Sequence, residues 1–162
     1  MTAEHETKTD QLAKQIPGFR GYRAVHDLET DWLLRRFLGG EVEKVRDQLA
    51  DFIAASQQPA DFGDRLGRNL RTVARLKNEI APAKGEKQLR EPFSEEKEEQ
   101  LLDLDMALVD RVAALHTPLD GVELAADPEA MEQAMQMFEE GLKEVEDLFI
   151  QRQEMLAEAK KS

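Results

Sequence analysis

Residues 38–52 read LGGEVEKVRDQLADF. Leu38, Val42, Val45, Leu49 and Phe52 recur at steps of four, three, four and three. That spacing places five apolar side chains on one stripe of an α-helix, as a seam facing other helices. Upstream, Val25, Leu28 and Trp32 step along the same kind of face, so one long helix is expected from about Tyr22 to Ser56. Gly39 and Gly40 interrupt it at a cost of about 2 kcal/mol relative to alanine. The flanking periodicity is strong enough to predict a kinked but continuous helix, in which the glycines let a neighbouring helix approach closely.

Three more amphipathic segments follow. Phe62, Leu66, Leu70, Val73, Leu76 and Ile80 mark a second helix, with Asp61 as its expected N-cap and Pro82 as its stop. Ser94 caps a third, with Glu95 and Glu96 where the helix dipole favours anions. Its core face is read as Leu101, Leu104, Leu108, Val112 and Leu115, and Thr117-Pro118 ends it, with Gly121 in the following link. Asp127-Pro128-Glu129 starts a fourth helix that runs to about Lys160. Its stripe is Met131, Met135, Phe138, Leu142, Val145 and Phe149. Residues 81–93 form the longest internal loop, and residues 1–15, polar and without period, read as a flexible tail ahead of a single domain over 16–160. No alternating run of strand length competes. The fold class is all-α, an antiparallel helical bundle of four main helices with the first and fourth long. The long pair is expected to overhang the short pair by roughly 18 Å.

The composition narrows the function classes. The chain has 162 residues, 35% of them charged, and a net charge of −12. It has no cysteine, which excludes thiol catalysis, disulfides and cysteine-based zinc sites. No apolar run approaches the length of a membrane span, and the N-terminus lacks the pattern of a signal peptide, so a cytoplasmic setting is expected. The charge is uneven. Residues 1–60 hold 8 basic and 10 acidic side chains, 61–90 hold 8 and 4, and 91–162 hold 6 and 20. The acidic C-terminal half repels nucleic acid and anionic lipid, so protein partners are expected, a second copy of the chain among them. Membrane contact is expected to be absent or indirect.

Catalytic patterns fail one by one. A carboxylate-bridged di-metal bundle needs two Glu-x-x-His pairs. Three residues before His5, His26 and His116 stand Thr2, Arg23 and Ala113. No His-Glu-x-x-His occurs and no phosphate loop has the right glycine spacing. His26 with Asp27, Glu29 and Asp31 reads better as a solvent-facing polar stripe than as an acid–base or metal site. No catalytic residue, metal ligand or cofactor is expected.

The special residues gather at Ile16–Leu38, which holds the turn Pro17-Gly18-Phe19-Arg20-Gly21, the single tyrosine Tyr22 and the single tryptophan Trp32. This junction is either an aromatic staple where the chain enters its longest helix or a docking surface. Arg68, Arg71 and Arg75, spaced three and four apart, form a basic stripe with Arg65 nearby. They are expected to pair with acidic side chains of the third or fourth helix, with docking of an acidic partner as the other reading. The candidate docking residues are therefore Phe19, Tyr22, Trp32, Arg68, Arg71 and Arg75. The methionines Met131, Met135 and Met137 read as core filling before they read as an adaptable groove.

Laid out this way, Pro17-Gly18-Phe19-x-Gly21-Tyr22, Trp32-Leu33-Leu34-Arg35, Asp64-Arg65-Leu66-x-Arg68-x-Leu70, Phe93 through Glu99 and Leu104-Asp105-x-Ala107-Leu108 carry a resemblance. Over about residues 16–156 the chain resembles a family of bacterial all-helical proteins whose members tend to be encoded near band-7-type membrane scaffold proteins and zinc-ribbon proteins. The loop at 84–92 lacks the aromatic-glycine cluster associated with that family. The resemblance implies a helical fold and carries over no reaction and no functional residue. The function expected is a non-enzymatic helical adaptor or scaffold acting through protein–protein contacts. The alternative is a peripheral membrane-associated stress or remodelling helper of the phage-shock type. A polar small-molecule or enzymatic bundle is disfavoured by the aliphatic core positions.

Overall fold

A computed structural model describes residues 7–23, 28–55, 60–82 and 93–161. They are all-helical. In chain order the helices are α1 (Lys8–Gln15), α2 (Leu28–Ala55), α3 (Ala60–Ile80), α4 (Glu95–Ala114), α5 (His116–Leu124) and α6 (Pro128–Lys161). The expectations for the 83–92 stretch of the long loop, for the His5 and His26–Asp27 pattern and for Val25 lie outside the described residues.

Among the described residues there are six helices rather than four, and local chemistry explains the two extra ones. Thr7 accepts from the backbone N–H of Asp10 and caps α1, so residues 8–15 are helical where a tail was expected. Leu12 and Ile16 then bury themselves in the common core, while Lys8 pairs with Glu99 and Asp103 of α4. The second extra helix is α5, which opens at His116 directly after α4. Pro118 does not end a helix here. It sits in the first turn of α5, where a missing N–H costs nothing. Gly121 lies inside α5, with the Cβ of Ala134 on α6 only 3.2 Å from where its own would stand.

The caps at Ser94 and Asp127 are as expected. Ser94 Oγ accepts from Lys97 N at 3.2 Å, and Asp127 Oδ1 accepts from Ala130 N at 2.8 Å. Asp61, by contrast, lies within α3 rather than capping it. Helix α2 runs unbroken through Gly39-Gly40. Gly39 is buried where the Cβ of Ala81, just past α3, would come within 3.4 Å of an added one, so the glycine does mark a close approach.

Cross-helix pairs fix the directions. Arg35 reaches Ile80 and Lys77 reaches Glu43, so α2 and α3 run in opposite directions. Asp105 meets Arg152 and Arg111 meets Glu144, so α4 and α6 are also opposed. Arg65 binds Glu132 and Glu139 while Arg75 binds Glu146, so α3 and α6 run alongside each other in the same direction. The neighbours of α4 are α1, α2, α5 and α6, and it makes no backbone approach to α3. A uniformly antiparallel arrangement is thus corrected to two opposed pairs laid side by side.

The expected overhang of the long helices is filled. At one end α5 packs along α6 and also touches α2. At the other end α3 stops at Ile80, and Arg35 Nε donates to the Ile80 carbonyl at 2.9 Å, placing a cation where the helix dipole is negative. Beyond that point the turn at 16–23 reaches the network of α2, α4 and α6 through Tyr22.

That turn depends on two glycines with positive φ, Gly18 at 92° and Gly21 at 85°. A Cβ on Gly21 would stand 2.7 Å from Glu98 Oε2, the same atom that accepts from Tyr22 N at 2.8 Å. Gly21→Ala is therefore expected to destabilise the protein by about 1–2 kcal/mol through backbone handedness and crowding. Gly40 has no atom within 4 Å of an added Cβ, so Gly40→Ala is expected to stabilise by up to about 1 kcal/mol. Urea unfolding of the two variants checks both signs.

Candidate functional site

Four side chains from three helices and the turn meet in the core. Arg152 of α6 and Asp105 of α4 are fully buried, Tyr22 of the turn is 1% exposed, and Asp31 of α2 lies against them. Arg152 Nε donates to Asp105 Oδ1 at 2.7 Å, and Arg152 Nη2 donates to the Tyr22 hydroxyl at 3.0 Å. The Tyr22 hydroxyl in turn donates to Asp105 Oδ2. Arg152 Nη1 forms an ion pair with Asp31 Oδ1 at 2.7 Å and donates to Gln153 Oε1 at 3.0 Å. Each nitrogen of the guanidinium is thus engaged, as a buried charge requires.

The electrostatics follow from the geometry. Burial opposes the charge on Arg152, but Asp105, Tyr22 and Asp31 together hold its proton more tightly than usual. Burial pushes the Tyr22 hydroxyl well above its ordinary range, and the Asp105 carboxylate pushes in the same direction. Burial also raises the Asp105 carboxyl, against the pull of Arg152 and the Tyr22 hydrogen bond. Tyr22 is thus held as a neutral donor on the Asp105 carboxylate.

Aromatic packing surrounds the network. Tyr22 meets Phe19 edge-on at 5.9 Å and Phe93 edge-on at 6.1 Å between ring centroids. Phe93 N donates to the Tyr22 carbonyl, tying the entry of α4 to the same turn. Phe19 and Tyr22, both named as docking candidates, are buried in this packing. Trp32 is half-buried, with the Arg36 guanidinium 5.1 Å over its ring.

The arginines of α3 divide. Arg65 holds Glu139 with two hydrogen bonds, of 2.9 and 2.6 Å, and also binds Glu132. This drives the Glu139 carboxyl below its ordinary range, against its own burial and with help from Asn69. Arg75 bonds Glu79 on its own helix and Glu146 on α6. Arg68 and Arg71 remain exposed. So the pairing with an acidic helix is made by Arg65 and Arg75, and the exposed basic stripe is shorter than the sequence suggested. Of the six candidate docking residues, Phe19 and Tyr22 sit together in the core and the three arginines line the outside of α3.

The sequence reading missed Asp105 and Arg152. The signal was present in the register. Leu101, Asp105, Leu108, Val112 and Leu115 step by four, three, four and three, so the buried seam of α4 runs through Asp105 and not through Leu104, which is only half-buried. Val145, Phe149, Arg152 and Leu156 continue the seam of α6 in the same way, and Asn69 does so between Leu66 and Val73 on α3. A charged or amide residue at a seam position is the mark of a buried polar layer.

A shallower feature lies outside the core. A cleft of about 380 Å³ opens where the α4–α5 junction meets α6, lined by Leu115, Pro118, Met137 and Gly141 and rimmed by Arg111, Glu140 and Glu144. Among the described residues no cluster of three or more histidine or carboxylate side chains has the geometry to hold a metal ion. No helix there is long and apolar enough to cross a membrane. No family model, curated protein or solved structure matches the chain.

Two outcomes test the buried network. Arg152→Met leaves two carboxylates, Asp105 and Asp31, without their cation and is expected to cost about 3–5 kcal/mol, whereas Asp105→Leu/Arg152→Met removes the fully buried pair, leaves only the partly exposed Asp31, and costs less than either single change. Urea unfolding of all three variants measures the coupling. Tyr22, the only tyrosine, is also its own reporter. Its folded pKa lies above the unfolded value of about 10, so its stabilisation is complete below pH 10 and is lost as pH rises further. Absorbance of tyrosinate in an alkaline titration is expected to appear only with loss of helicity, and a free titration near pH 10 in the folded protein contradicts the buried placement.

Proposed function

We propose that the chain is a non-enzymatic helical adaptor or scaffold that works through protein–protein contacts in the cytoplasm, with its four long helices acting as one bundle. The observation that carries this reading is how the buried ionisable groups are spent. Arg152, Asp105 and Tyr22 are bound to one another in a closed set. They lie apart from the cleft at α4–α5–α6, whose floor is apolar and whose carboxylates stand at the rim. Acid–base catalysis needs titratable groups aimed at a space that admits a substrate. The geometry instead supplies a rigid frame with differentiated outer faces: basic on α3 at Arg68 and Arg71, acidic on α6 at Glu140 and Glu144.

The membrane-helper alternative has less support. It rests on the length of the first and fourth helices, and both of these are engaged within the molecule, α6 by α3, α4 and α5 and α2 by α3, α4 and α5. The acidic C-terminal half also opposes an anionic surface.

Affinity capture with the full chain, followed by light scattering of the purified protein, tests the proposal. A retained protein at fixed stoichiometry or a defined self-assembly is the expected result. A monomer that retains nothing contradicts it. Flotation of the chain with anionic vesicles would restore the membrane reading.

A further inference from the structure

We propose that the groove along α5 and α6 takes a cationic amphipathic helix of a partner protein. This rests on the adaptor reading and names the surface and the chemistry of what it binds.

The groove is built by two close approaches. A Cβ on Gly121 would stand 3.2 Å from the Ala134 Cβ, and one on Gly141 would stand 2.8 Å from Leu115 Cδ2. These small residues draw α5 and the end of α4 down onto α6. The resulting cleft, about 380 Å³, is large enough for a leucine or phenylalanine side chain with room around it.

The cleft leaves apolar surface open to water. Met137 on its lining is 59% exposed, beside Pro118, Gly141 and the buried Leu115. Leu124, 83% exposed, stands outside the cleft at the last residue of α5, on the helix face that carries Thr117. The cleft is therefore apolar, and its exposed large side chain is an adaptable methionine.

Charge selects the occupant. Glu140 and Glu144 stand exposed at the rim. Arg111 is 3.4 Å from Glu144, with both side chains more than half exposed, which makes a weak pair that a partner's lysine or arginine readily replaces. The surrounding segment, residues 91–162, carries 20 acidic and 6 basic side chains. A helix with an apolar stripe flanked by lysine or arginine satisfies both the apolar cleft and its rim. A second copy brings the same acidic excess over residues 91–162 to the contact and so supplies no cationic stripe of the kind the rim selects.

The probe for the test is a fluorescein-labelled synthetic helix of about 18 residues of leucine and lysine, its leucines on one stripe. The control peptide has the same composition with the leucines dispersed. Fluorescence anisotropy is expected to give a Kd about ten-fold lower or better for the striped peptide than for the dispersed one. Met137→Glu and Glu140→Lys/Glu144→Lys are each expected to weaken the striped peptide about ten-fold. Ile150→Glu serves as the control, because Ile150 lies about 140° around α6 from Met137 and is expected to change binding less than about two-fold. Met137 lies at the surface, so its substitution leaves the fold intact by circular dichroism. In methyl spectra the Met137 signal moves on titration and the Met135 signal does not. Equal binding of the two peptides, equal loss in Ile150→Glu, or no binding overturns the groove. If affinity capture retains a partner that Met137→Glu does not release, the groove proposal fails and the adaptor reading stands. If nothing is retained and the chain is monomeric, the adaptor reading fails as well.

Discussion

One guanidinium organises one end of this molecule. Arg152 is wholly buried, and a buried charge is tolerated only when its donors are matched. Its partners come from distant parts of the chain: Asp105 from α4, Asp31 from α2 and Tyr22 from the turn before α2. Sliding any one of them by a helical turn leaves a charge in apolar surroundings. The apolar seams hold the helices together, but leucine and valine seams tolerate alternative registers. The polar layer does not, and so it fixes how α6 sits against α4 and where the N-terminal turn docks.

The rest of that end follows from this constraint. Tyr22 can reach Asp105 only if the turn folds back sharply, which Gly18 and Gly21 permit through positive φ. Placing Tyr22 brings Phe19 and Phe93 edge-on to its ring and pins the entry of α4 through the Phe93 N–H. The same turn leads back to Ile16 and Leu12, so α1 is laid on α4. At the far end the described residues hold no comparable set of fully buried charges. There α5 closes the molecule through small-residue contacts with α6, and Gln48 of α2 bridges His116 and Asp120. The two ends are built by different chemistry, one by a specific charge network and the other by close apolar approach that leaves an open groove.

Much of this was legible in the sequence. Periodicity alone marked the long helices, because each buries a continuous stripe, and the caps at Ser94 and Asp127 marked two of the starts. Two short helices were missed for local reasons. Polar residues 7–15 bury little beyond Leu12, and Pro118 and Gly121 read as breakers although a first turn and a close contact accommodate them. The network was missed because charge was taken as a sign of exposure. Asp105 and Arg152 occupy seam positions, and stepping the four-three pattern through them rather than around them would have exposed the layer. The parallel run of α3 beside α6 was beyond reach, since periodicity says which face is buried but not what it is buried against.

The central claim is that the Arg152–Asp105–Tyr22 contact, rather than apolar burial alone, holds the N-terminal turn and α1 in place. Amide hydrogen exchange on the Asp105→Leu/Arg152→Met variant tests it most directly, because the two fully buried charges are removed together and only the partly exposed Asp31 remains of the layer's charges. The account predicts that amides of α1, Tyr22 and Phe93 lose protection together, while those of α3 and α5 keep it. Full retention of protection in α1 and at Phe93 would contradict it.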